Sequence, residues 1–136
     1  MKVWIALLLA LSLPLTAQAS EDKEAKEGAA PVVSYVTLVP ALVGNFGEGP
    51  KLKFYKADLS LRVTGADVEA KVKHHEPLIR NQLVMLFSQQ TEVAMAAPGA
   101  RETLRAEALK QVQDVLNQEE GKPYVEDLLF NNLIIQ

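Results

Sequence analysis

Between Lys51 and Val63 the chain alternates apolar and polar residues. Ala57, Leu59, Leu61 and Val63 fall on one side, and Asp58, Ser60 and Arg62 fall on the other. A period of two belongs to a β-strand, whose successive side chains leave opposite faces. Such a strand has one dry face and one wet face, so the fold must supply a layer to cover the dry one. Leu52 and Phe54 sit on the opposite phase, which predicts a bend or bulge near Tyr55–Lys56. Tyr35 to Val39 is a second apolar, β-branched run, ended by Pro40, and reads as another strand. Gly44, Gly47, Gly49 and Pro50 read as a flexible loop between the two.

Helical patterns follow. Thr64-Gly65-Ala66-Asp67 has the form of a capping box, with Val68, Val72 and His75 on one face of a short helix. Pro77 suits the first position of a second helix, which extends to about Gln89. Its apolar residues Leu78, Ile79, Leu83, Leu86 and Phe87, widened by Val84 and Met85, predict burial on more than one side. Pro98-Gly99 precedes a third helix from Ala100 to about Gln118, striped by Leu104, Ala108, Leu109, Val112, Val115 and Leu116. Gly121 and Pro123 stop it. Tyr124 to Gln136 is apolar on both faces and reads as a central or covered strand. Strands at both ends with helices between them make an α+β fold, with a small antiparallel or mixed sheet of about three strands against about three helices. Leu59, Leu61, Phe87, Leu104, Val112, Phe130 and Leu133 are the expected core.

The N-terminus reads as an export signal rather than as fold. Lys2 provides positive charge, Val3 to Leu13 is apolar, Pro14 breaks the run, and Ala17-Gln18-Ala19 has the small-x-small form of a cleavage site. The expected cut lies between Ala19 and Ser20. A membrane span needs about 20 apolar residues, and this run is shorter. The expected organisation is therefore a signal peptide at 1–19, a charged disordered linker at 20–32, and one domain at 33–136 in the periplasm.

Chemistry is sparse. The 136-residue chain has no cysteine, which removes disulfides, thiolate metal sites, cysteine nucleophiles and an N-terminal lipidated cysteine. Its net charge of −3 comes without a basic cluster of the kind that binds nucleic acid. His74 and His75 are the only histidines, and adjacent helical residues point about 100° apart, so they chelate one metal poorly. His75 reads better as a satisfied core histidine. None of Ser12, Ser20, Ser34, Ser60 or Ser88 lies in a G-x-S-x-G turn. Gly44-Asn45-Phe46-Gly47-Glu48-Gly49 lacks the Lys-Ser/Thr of a phosphate loop and reads as a hairpin-type connection. No catalytic residue, metal ligand or cofactor is expected.

One pair is unusual. Arg101 and Arg105 lie four residues apart and project into the arc of Leu104, Ala108 and Val112. Charge on an apolar stripe must be paired or reach water. Either the two snorkel or pair with Glu102 or another acid, or the end of the stripe is a protein contact.

Three segments resemble the FliL family: Pro77-Leu78-Ile79-Arg80-Asn81, then Gly99-Ala100-Arg101-Glu102-Thr103-Leu104-Arg105, then the closing Phe130-Asn131-Asn132-Leu133-Ile134-Ile135-Gln136. The resemblance covers roughly Val33 to Gln136. It implies a non-enzymatic protein of the flagellar basal body, associated with the motor stator and affecting torque or stator engagement. It also implies ring-like homo-oligomers and a domain similar to stomatin and prohibitin domains. The family usually carries a cytoplasmic stub and one transmembrane helix, where this chain has a segment of cleavable form. The resemblance thus places it in the periplasm, associated with the inner membrane or basal body, touching membrane only through partners or a retained signal segment. The alternative is a free periplasmic adaptor or ligand-binding module unrelated to the flagellum.

Overall fold

The structure, a computed structural model, describes residues 30–136. The expected signal peptide, the expected cut between Ala19 and Ser20 and the expected linker up to residue 29 lie outside the described residues.

The elements run β1 (Val33–Thr37), β2 (Leu42–Phe46), β3 (Lys53–Thr64), α1 (Ala66–His74), α2 (Glu76–Ser88), α3 (Glu92–Ala96), α4 (Ala100–Glu120) and β4 (Asp127–Ile135). The sheet is antiparallel and β3 is its axis. β1 pairs with the C-terminal half of β3 and β2 with the N-terminal half, so the two lie end to end along one edge. β4 takes the other edge. The sheet has four strands but is three strands wide, and α3 adds a fourth, short helix to the expected three.

Tyr55, Ala57, Leu59, Leu61 and Val63 on β3 are all buried, so the alternation holds unbroken and no bend is needed at Tyr55–Lys56. Leu52 and Phe54 simply face out. The irregularity lies in the partner strands. From Thr37 to Leu42 is five residues, against three from Ser60 to Ala57, and the excess falls at the Pro40 bend. On β4, Asp58 faces Asn132 and Leu59 faces Phe130, so Asn131 is the extra residue of a bulge.

The helices cover the dry face with Val72, Ile79, Leu83, Phe87, Leu104, Ala108, Val112 and Leu116. Phe130 and Leu133, expected in the core, pack against it half-buried. Leu78 and Met85 are exposed, so α2 buries one stripe and not the broad arc its composition suggested. That stripe packs against β2 and α4, and Phe87 at its end also meets Tyr55 of β3 and Phe130 of β4.

Two glycines correct the reading of loops and caps. Gly44 lies inside β2, opposite Tyr55. A Cβ there would stand 2.5 Å from the Tyr55 hydroxyl, so the bare backbone is what lets the ring lie across the sheet. The segment from Gly44 to Phe46 is thus strand, and the hairpin connection begins only at Gly47. Gly65 caps α1 at a φ of 101°, with no side-chain cap. Thr64 is the last residue of β3, and its Oγ1 donates to Glu126 Oε1 at 2.6 Å. The sheet has claimed the threonine that a capping box would have needed.

Candidate functional site

β4 is an edge strand, not a covered one. Its hydrogen-bond phase follows from one pair: the Phe54 N–H donates to the Gln136 carbonyl at 2.7 Å, and the Gln136 N–H to the Phe54 carbonyl at 2.9 Å. Antiparallel ladders alternate, so Ile134 and Asn132 also turn their backbone polar groups inward, while Leu133 and Ile135 turn theirs outward. Beyond the Asn131 bulge, Leu129 and Asp127 face inward and Phe130 and Leu128 outward.

The outward carbonyls of the first half are met by the two arginines singled out in the sequence. Arg101 Nη2 donates to the Phe130 carbonyl at 3.1 Å, with its guanidinium 5.8 Å from the centre of the Phe130 ring. Arg105 Nη1 donates to the Leu128 carbonyl at 3.4 Å and to Asp127 Oδ1 at 2.6 Å. Its remaining nitrogens grip Glu102 on its own helix, at 2.8 and 2.5 Å. That hydrogen bond holds the Glu102 carboxyl below the usual carboxylate range. The spacing is a geometric match. Four helical residues rise about 6 Å and two strand residues about 6.8 Å, so i,i+4 on α4 meets i,i+2 on β4.

The uncovered face of the sheet has a polar middle and an apolar end. Ser60, almost fully buried, bonds Thr37 Oγ1 at 2.9 Å and accepts from Asn131 Nδ2 at 2.8 Å, tying β1, β3 and β4 together. Toward the Lys53 end, Val43, Phe54 and Ile134 are exposed around Lys56. Lys51, Lys53 and Lys56 make no ion pair among the described residues.

His74 and His75 lie edge to face with ring centres 4.8 Å apart. His75 Nε2 bonds Glu120 Oε1 at 2.8 Å, which lowers the Glu120 carboxyl. Lys71 donates to the Tyr124 hydroxyl at 3.1 Å beside them. His75, half-buried rather than in the core, is held by a carboxylate at the far end of α4, which satisfies one ring nitrogen. Among the described residues no three His, Asp or Glu side chains converge as a metal set, and no helix is long and apolar enough to cross a membrane. Ser34 donates to Glu69 and, like Ser60, is engaged structurally.

The residues that complete these clusters, Asp127 with the Phe130 and Leu128 carbonyls for the arginines and Glu120 for His75, lie 22 to 45 positions away in sequence. No local spacing announces them. The edge itself has a legible signal in hindsight: Asn131-Asn132 interrupts the apolar run where the bulge falls.

Residues 35–136 match the family model described as "Flagellar basal body-associated protein FliL". The chain is also similar to the protein named "Flagellar protein FliL" of Aquifex aeolicus, at 27% identity over 99 residues, which is 73% of this chain. It spans 59% of the length of that relative.

Proposed function

The chain belongs to the FliL family of flagellar basal body-associated proteins, and from that premise we propose that it is a non-enzymatic periplasmic component of the basal body that binds or modulates the motor stator and thereby affects motility. The family match across nearly the whole described domain carries this reading. The geometry supports it. The polar side chains of chemical interest, His75, Ser60 and Arg105, are spent on holding the fold. What the domain offers outward is a strand edge and apolar side chains.

Arg101 and Arg105 supply the partner contact in this reading. They line a shallow groove with Gly99, Leu129 and Phe130 at the start of α4. Arg105 is committed to Glu102 and Asp127, whereas Arg101 makes one hydrogen bond and keeps donors for a partner carboxylate. Higher-order assembly of the domain around the stator belongs to the same proposal, as does export of a mature form beginning at Ser20.

The test is a chromosomal Arg101→Ala variant beside Arg105→Ala, each scored for swimming speed and for melting temperature. Arg101→Ala is expected to slow swimming with the melting temperature unchanged, and Arg105→Ala to lower both. Normal swimming in both would remove the assigned contact.

A further inference from the structure

The arginines cover only half of the β4 edge. Leu133 and Ile135 turn their N–H and C=O groups outward with no partner among the described residues, and here the edge is bordered by a cleft on each face of the sheet. One, of about 300 Å³, is lined by Phe46, Met95, Lys53 and Glu92 beside Ile135. The other, of about 250 Å³, is lined by Val43, Phe54 and Lys56 beside Ile134.

We propose that the Leu133–Ile135 edge is a strand-addition site for an extended acidic–apolar segment of another protein. An added strand would take the free backbone groups, and its alternating side chains would fall beside the two clefts. Apolar ones would cover Ile134, Ile135 and Phe54, which are each more than a third exposed. The charge of the partner follows from the amines. Lys53 lies in one cleft beside Glu92 and Lys56 in the other, whose lining has no Asp or Glu side chain, and neither lysine is ion-paired among the described residues. An added strand lies about 9.6 Å from β3, two strand spacings, a gap that a lysine and a glutamate side chain span together. A second copy of this domain pairing edge to edge would bring lysines toward lysines with only the Glu92 side chain among the cleft linings to offset them, so a foreign acidic segment fits better. The inference does not depend on the partner being a motor component.

The probe is a fluorescein-labelled octapeptide alternating Val and Glu, compared with one alternating Val and Lys, titrated into the full chain by anisotropy. The acidic peptide is expected to bind at least tenfold tighter than the basic one, and Lys53→Glu/Lys56→Glu to reverse that order. Ile135→Pro deletes an outward N–H without breaking the β3 ladder, and is expected to weaken acidic-peptide binding at least tenfold. In the wild-type chain the Leu133 and Ile135 amides are expected to gain exchange protection on peptide addition, a readout that holds even if the proline variant folds poorly. Four results would each overturn the proposal: equal binding of the two peptides, unchanged Leu133 and Ile135 amides at saturation, a dimer by sedimentation that Ile135→Pro abolishes, or binding to phosphatidylglycerol vesicles in preference to the acidic peptide.

Discussion

The guanidinium of Arg101 sits over the ring of Phe130 and donates to its carbonyl at 3.1 Å, closing an acceptor on the free edge of β4. Unpaired strand edges recruit other strands, and charged side chains are a common way to blunt them. Arg105 does the same two residues earlier along the strand, at the Leu128 carbonyl. The i,i+4 arginines that look misplaced on the helix stripe are therefore placed by the strand beside it.

Removing both guanidiniums uncovers that edge. Arg101→Ala/Arg105→Ala is expected to self-associate at concentrations where the wild-type chain stays in its native state of association, as read by sedimentation velocity. Arg101→Lys should behave as wild type, since an ammonium can still donate to the carbonyl. A double variant whose sedimentation profile matches wild type would show that the arginines do not guard the edge.

The dry face of β3 was legible residue by residue because a strand's period of two is local. Leu61, buried between sheet and helices, was among the residues so identified, and Leu61→Ala is expected to cost about 2–5 kcal/mol. The three longer helices were legible from their equally local 3.6-residue period, whereas the five-residue α3 is too short to show one. β2 was not. Its glycine resembles a loop glycine in sequence, and only the Tyr55 ring opposite explains it. β4 was misjudged because two apolar faces look the same whether the second is covered by this chain or awaits something else. Ile134 and Leu129 are exposed here, which periodicity cannot foresee.

Gly44 tests the packing directly. Gly44→Ala puts a methyl group into the Tyr55 ring and is expected to destabilise by about 1–3 kcal/mol, the usual cost of overpacking. Combined with Tyr55→Leu, the same alanine should cost much less, and the double-mutant cycle by denaturant unfolding gives the coupling. Additive effects would mean that the ring does not occupy the space over Gly44.

Acid should weaken the fold through three carboxylates. Glu69 is held low by the Lys73 ammonium and the Ser34 hydroxyl, Glu102 by Arg105, and Glu120 by His75. A carboxyl lowered by folding adds stability that is present above its unfolded value, about 4.3, and is lost as pH falls through the lower folded value. The melting temperature is therefore expected to hold near pH 7 and to decline as pH drops below about 5. Replacing the three with glutamine should lower it near pH 7 and flatten the acid decline; an unchanged decline would assign acid sensitivity to other groups.

The central claim is that this domain works at the flagellar motor through its partners. In-cell crosslinking of an affinity-tagged full chain in motile cells, followed by mass spectrometry of the captured proteins, measures that most directly. Stator and basal-body proteins are expected among the specific partners, and their capture should fall when Arg101 is replaced by alanine. A capture free of flagellar proteins, from cells whose motors turn normally, would contradict the account and leave the domain as a free periplasmic adaptor.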